Sequence, residues 1–178
     1  MSSSKQTHFE WFSIPRNFSV DLRALRAKYL DLQKQLHPDK SAGLSDANQS
    51  QAIVLNTKLN DAYGSLRDPV KRAIYLLELS GFEYEADRQT QSDPIYLMQQ
   101  LEIREELSDL ELDSPHLEES LDKFRSLALA QLEQYSEEFS LAYDKADWSL
   151  SSAAIDRMMF AEKLMRDVNE REEQLLDL

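Results

Sequence analysis

Apolar residues recur every third or fourth position along most of this chain, and the strict apolar–polar alternation of a strand is hard to find. Leu22, Leu25, Tyr29, Leu32 and Leu36 are spaced 3, 4, 3 and 4, which lines them up as one buried stripe of a helix. Ala154, Met158, Ala161, Met165 and Val168 repeat the pattern near the other end. Start and stop signals divide the rest. Asp68-Pro69 supplies an N-cap and a proline at the first helical position, Gly81 closes that helix, and Asp93-Pro94 and Ser114-Pro115 repeat the start signal. The pattern predicts an all-α protein with helices over residues 8–13, 21–36, 46–67, 69–80, 94–109, 115–144 and 147–176. A loop is expected over 37–45. Residues 82–92 are polar, acidic and aperiodic, so they are expected to link a first domain, 8–81, to a second, 93–178.

Charge supports this division. The net charge of −13 is uneven: residues 1–81 hold 11 Lys and Arg against 8 Asp and Glu, and residues 82–178 hold 9 against 25. Halves of opposite sign predict different partners. The acidic half would be repelled by nucleic acid, and the mildly basic half has too little excess charge for strong phosphate binding. There are no cysteines, which excludes disulfides and thiolate metal sites and fits a reducing compartment. No apolar run is long enough to cross a membrane, and Met1-Ser2-Ser3-Ser4-Lys5 lacks the apolar core of a signal peptide. A cytoplasmic protein is expected.

The chemistry-bearing residues cluster at the end of the second helix. Arg23, Arg26 and Lys34 form a basic stripe about 140° from the apolar one, with Leu30 on the same exposed face. Such a stripe by itself is a solvated surface. The residues directly beyond it, His37-Pro38-Asp39 and Lys40, change that reading. Proline fixes its own φ and disfavours helix at the residue before it, so the helix stops and presents His37 and Asp39 on a stiff loop. A His–Asp pair can do acid–base work, yet no nucleophile or third orienting group can be assigned. His8 and His116 have no ligand-like spacing to His37. The constellation reads as a polar docking face, and neither enzymatic activity nor a bound metal or other cofactor is expected.

Tyr29, the basic helix, His37-Pro38-Asp39-Lys40, Leu59-Asn60-Asp61-Ala62-Tyr63, Leu66-Arg67-Asp68-Pro69 and Lys71-Arg72 resemble a J-domain of the DnaJ co-chaperone family. The resemblance implies an antiparallel hairpin of helices 2 and 3 with the tripeptide at its tip. It also implies that His37, Pro38 and Asp39, supported by Arg26 and Lys34, contact a DnaK-class chaperone and stimulate its ATPase. Leu30 departs from the pattern, since many members are basic there.

The second half carries an anomaly. On a helical wheel Tyr96, Ile103, Leu107 and Leu110 fall within about 60° of one another and can face a core. Leu97 and Leu101 lie about 100–140° from Tyr96, with Met98 about 160° away on the other side and Glu105 among them. Either a bundle surrounds this helix on a broad arc, or the second set is an exposed apolar patch rimmed by Glu102, Glu105 and Glu106. In the last helix Phe160 lies about 160° from Met158, with Leu164 near it, and Phe160 would complete that patch if the two helices pack together.

Arg72-Ala73, Tyr75-Leu76-Leu77, Leu97-Met98, Gln100-Leu101-Glu102, Arg104-Glu105-Glu106-Leu107 and Gln174-Leu175-Leu176-Asp177-Leu178 resemble the HscB family, J-proteins of iron–sulfur cluster assembly. That resemblance implies a C-terminal three-helix bundle that binds the cluster scaffold IscU and delivers it to the specialised chaperone HscA. The implied scaffold-binding residues are Leu97, Met98, Leu101, Glu102, Glu105 and Phe160. Eukaryotic relatives often add a cysteine-containing N-terminal segment, so the absence of cysteine points to a bacterial form. A generic J-protein serving other clients is the alternative, and an acidic helical adaptor a more distant one.

Overall fold

The computed structural model describes residues 6–36, 46–85, 94–111 and 114–176, and all regular structure among them is helical. His37, Pro38, Asp39 and Lys40, like the Asp93 start signal, lie outside the described residues. The chain forms two compact units, Met1–Ser80 and Gly81–Leu178.

The first unit contains α1 (His8–Trp11), α2 (Leu22–Gln35), α3 (Asp46–Arg67) and α4 (Pro69–Leu79). Thr7 and Glu10 cap α1 reciprocally: the Thr7 hydroxyl accepts from the Glu10 N–H at 3.2 Å and the Glu10 carboxylate from the Thr7 N–H at 2.7 Å. This helix is shorter than expected, because Ser13 adopts a left-handed φ of 48°. The Lys28 ammonium donates to the Phe12 and Ser13 carbonyls at 2.8 and 2.9 Å and so closes α1 from α2. His8 is a packing residue. Its ring stacks on Tyr75 with centroids 4.2 Å apart and its backbone N–H donates to the Tyr75 hydroxyl. Burial lowers its pKa, opposed by the nearby Asp61 and Glu78 carboxylates.

Tyr29 of α2 stacks on Tyr63 of α3 at 4.1 Å, and its hydroxyl donates to Asn60 Oδ1 at 3.0 Å. Leu22 and Arg67 line one cleft beyond this pair, so α2 and α3 run antiparallel. Phe9, Phe12, Leu25, Leu59, Leu66, Leu76 and Leu77 are fully buried between the helices. Leu22, expected on the buried stripe, is 48% exposed. It sits in the first turn of α2, level with Arg67, where α3 is ending and offers little apolar surface. Asp68 caps α4 by accepting from the Lys71 N–H at 2.9 Å, Pro69 opens the helix, and Gly81 takes a φ of 79° just after it. Arg72 is buried: Nη1 donates to the Leu66 carbonyl at 2.7 Å and its guanidinium lies 4.8 Å above the Phe18 ring. Desolvation lowers its pKa and Asp68 opposes the shift, but from so high a starting value the group stays charged.

The second unit contains α5 (Pro94–Ser108), α6 (Leu117–Asp144) and α7 (Trp148–Leu176). Two residues of the expected linker are held against α7: the Phe82 ring lies 6.4 Å from Trp148, and the Tyr84 hydroxyl donates to the Asp156 carboxylate. Helix α6 starts two residues later than the Ser114-Pro115 signal suggests. The Leu117 N–H donates to the Ser114 carbonyl at 3.1 Å, so Pro115 occupies a tight turn before the helix rather than its first position. Helices α6 and α7 are antiparallel, joined at Lys145–Asp147 and bridged by Glu138–Arg157 at 3.3 Å and by Arg125–Glu172.

Leu107, Leu117, Leu121, Ala128, Leu164 and Val168 form the core of this unit, with Ile103, Leu110, Phe124 and Met165 packed against it. Leu164, expected beside Phe160 away from the core stripe, is 1% exposed. The correction has a simple cause: α7 packs against both α5 and α6, so its buried arc is wider than a single stripe. Arg171 Nη2 donates to the Leu110 carbonyl at 2.9 Å and secures the end of α5 to α7.

The α6–α7 turn contains Ala146 at a φ of 54°, which costs an L-residue about 1–2 kcal/mol. Ala146→Gly removes that strain and loses part of the gain to backbone entropy, about 0.5–1 kcal/mol. Denaturant unfolding is expected to show a net stabilisation of roughly 0.5 kcal/mol with an unchanged m-value; a lowered midpoint would contradict this view of the turn.

Candidate functional site

Two surfaces carry the residues singled out by the sequence, one in each unit. In the first unit Arg23, Arg26 and Lys34 are all exposed on α2, whereas Lys28 is turned inward to cap α1. Leu30 is 41% exposed on the same face. The helix ends at Gln35, and the Leu36 N–H closes the last turn on the Leu32 carbonyl at 3.0 Å. Leu36 is therefore the C-cap of α2. Arg26 also lines a cleft of about 520 Å³ with Leu22, Arg23, Tyr29, Leu30, Tyr63 and Arg67. Arg67 was not separated from the general motif by sequence reasoning, since its neighbourhood to Arg26 exists only once α2 and α3 pair.

In the second unit the alternative left open for α5 resolves by residue. Met98 and Leu101 are 62% and 57% exposed, and Glu102, Glu105 and Glu106 are exposed beside them. Leu97 and Phe160 are half-buried. The Phe160 ring meets Tyr96 edge-on at 5.7 Å, and the Arg104 guanidinium lies 5.3 Å from its centroid. Tyr96 in turn meets Tyr135 edge-on at 6.2 Å. Burial, reinforced by Tyr135, pushes the Tyr96 phenol well above its ordinary pKa and keeps it neutral. Phe160 is thus a wall of the α5–α7 seam as well as a surface group. On the α5 wheel Leu97 lies about 20° and Leu101 about 60° past Arg104, which puts the seam next to the exposed face. Leu101, Glu105, Met98 and Glu102 share an arc of about 100°.

Ile95, at 72% exposed, adjoins that arc and was missed. It lies in the first turn of α5, between the two apolar sets read from the sequence, and only its exposure marks it. An apolar strip edged by carboxylates can bind a partner of matching shape and charge. Among the described residues, no cluster of three or more His, Asp or Glu side chains is placed to hold a metal ion, and no helix is long and apolar enough to cross a membrane.

Comparison with known proteins gives concordant matches to both units. Residues 7–75 match the DnaJ domain, and residues 92–169 match the domain described as the HSCB C-terminal oligomerisation domain. The chain is 38% identical to a co-chaperone protein HscB homolog of Ralstonia nicotianae, over 99% of this chain and 100% of the relative. Its structure is similar to the chaperone HscB from Vibrio cholerae, with a TM-score of 0.84 and 32% identity, covering 95% of this chain and 99% of that one. The fold is also that of the human co-chaperone protein HscB, at a TM-score of 0.84 and 24% identity, covering 97% of this chain and 84% of that one. A full-length relative together with the two domain matches establishes that this chain belongs to the HscB family of J-domain co-chaperones, which act with a DnaK-type chaperone.

Proposed function

We propose that this protein brings the iron–sulfur scaffold IscU to the specialised DnaK-class chaperone HscA and triggers ATP hydrolysis there. The observation that carries the reading is the α5 face, where Met98 and Leu101 stay exposed among Glu102 and Glu105, in a unit separate from the one bearing the basic helix. Large apolar side chains on a monomer surface cost solubility, and one contiguous strip edged by charge is what a partner covers. Leu97, Met98, Leu101, Glu102, Glu105 and Phe160 form the proposed scaffold contact, with Ile95 as an addition at its edge.

On the other unit His37, Pro38 and Asp39, with Arg26 and Lys34 in support, form the proposed chaperone contact. The chemistry belongs to the chaperone. This protein acts by binding a hydrolysis-competent state more tightly than the resting one, and the shift it produces is bounded by that difference in affinity. Asp39 contributes a charge-assisted contact to an arginine of the partner, worth about 1.5–3 kcal/mol. The cluster on the scaffold is cargo, and no residue of this chain is assigned as its ligand.

Asp39→Asn keeps the size of the side chain and removes its charge. It is expected to leave the circular dichroism spectrum unchanged and to abolish stimulation in a steady-state assay of the chaperone ATPase; normal stimulation would sink the trigger assignment. Leu101→Ser is expected to weaken scaffold binding by calorimetry about tenfold, corresponding to roughly 1.4 kcal/mol, while unfolding stability stays within about 0.5 kcal/mol of the parent. Phe160→Ala should lower both quantities, since its ring also packs on Tyr96. Equal scaffold affinity for Leu101→Ser and the parent refutes the patch. A chaperone ATPase stimulated no further when scaffold and this protein are added together points instead to a J-protein with other clients.

A further inference from the structure

The cleft beside the Tyr29–Tyr63 stack draws cations from two helices. Arg23 and Arg26 lie one turn apart on α2, and Arg67 reaches the same space from the last turn of α3, four residues after Tyr63. All three are exposed, and none forms an ion pair with another described residue. The acidic residues that adjoin the cleft lining in sequence are engaged as caps, Asp21 accepting from the Arg23 and Ala24 N–H groups and Asp68 from the Lys71 N–H. Asp31, exposed on α2 five residues after Arg26, is not among the residues lining the cleft. Leu22 and Leu30, 48% and 41% exposed, supply apolar walls between the guanidiniums. The floor is stiff, because Tyr29 is held by the stack, by Asn60 and by a hydrogen bond from Gln33 Nε2 at 3.1 Å.

Planar guanidiniums on a rigid floor are suited to carboxylates, which they engage through paired, charge-assisted hydrogen bonds. Apolar walls add a preference for a neighbouring aliphatic side chain. We infer that Arg67 completes a three-arginine cleft that holds an acidic segment, carrying an apolar side chain, on the surface of the DnaK-type chaperone. The inference deepens the chaperone-binding reading above and rests on it. Arg67 is then a contact residue contributed by α3, and it compensates for Leu30, the position at which α2 lacks a cation.

A plainer role exists. A cation in the last turn of a helix interacts favourably with the helix dipole, and Arg67 occupies that position. The two roles have different readouts: the dipole role moves the unfolding midpoint, whereas the docking role moves chaperone affinity. The test uses the full-length chain and the chaperone in its ATP-bound state. Arg67→Ala is expected to raise the dissociation constant, and the concentration giving half-maximal ATPase, about tenfold. Arg67→Glu raises both further, and Arg67→Lys less, because it keeps charge and loses the planar fork. The maximal ATPase rate at saturation should persist, and affinity should fall less steeply with salt for Arg67→Ala than for the parent. Unchanged affinity and salt dependence for Arg67→Glu overturn the inference. So does a variant that alters self-association by sedimentation and leaves chaperone affinity alone, which would give the cleft to the acidic half of a second copy. Asp39→Asn in the same assay separates the two levels. If it loses the maximal rate while Arg67→Glu is silent, only the cleft fails; if it stimulates normally, the trigger assignment fails and direct binding still decides the cleft.

Discussion

The stack of Tyr29 on Tyr63 sets the register of the first unit, and most of its surface is determined by that register. Once the two rings lie 4.1 Å apart with the Tyr29 hydroxyl on Asn60, Leu25, Leu59 and Leu66 fall in the core, and Arg23, Arg26 and Lys34 are left outside. Sliding α2 by one turn along α3 would break the stack and the hydrogen bond together and would separate Arg26 from Arg67. Lys28 imposes a second constraint. By donating to the Phe12 and Ser13 carbonyls it fixes α1 to α2, so the cation nearest the basic stripe is spent on architecture. Charge count along a helix is therefore a poor measure of the charge it presents.

The second unit solves a different problem. Helix α7 meets α5 and α6 at once, and its apolar arc is correspondingly wide, taking in Ile155 and Leu164 besides the regular stripe. Helix α5 meets its neighbours along one side only. Its inward residues, Leu107 above all, enter the core, and Tyr96 and Arg104 engage Phe160 along the seam. The remaining side keeps Met98 and Leu101 in solvent. A short helix that is apolar on two sides and packed on one cannot bury both, and the second side is free for a partner.

How far this was legible in the sequence depended on whether a feature was local or shared. Caps and stops are local, so Asp68-Pro69 and Gly81 marked real helix boundaries. The exception, Ser114-Pro115, failed because the same residues satisfy a tight turn equally well, and which one forms is decided by where Leu117 must enter the core. Stripes are only half local. The wheel identified Leu25 and Met158 correctly and misplaced Leu22 and Leu164, because burial depends on whether a neighbouring helix extends that far or flanks a second side. The two-faced character of α5 was visible as a pattern, but its outcome was not, and Ile95 gave no periodic signal at all. Arg67 was visible as a residue and invisible as a member of a cleft, since no spacing in one dimension relates position 26 to position 67.

The two surfaces also differ in the physics they can use. A cationic cleft accelerates encounter and sets orientation, and its contribution declines with ionic strength. An apolar strip holds its partner through area removed from water, at about 25 cal/mol per Å² before the costs of association, and salt barely weakens it. Residues of the two surfaces lie in separate compact units, so substitutions at one are expected to leave the energetics of the other nearly unchanged. On the proposed reading, coupling between chaperone and scaffold arises in the assembled complex, through the chaperone state that both proposed contacts favour. On the same reading, a cation supplied by α3 at Arg67 in place of one at Leu30 alters the chaperone contact without touching the proposed scaffold face.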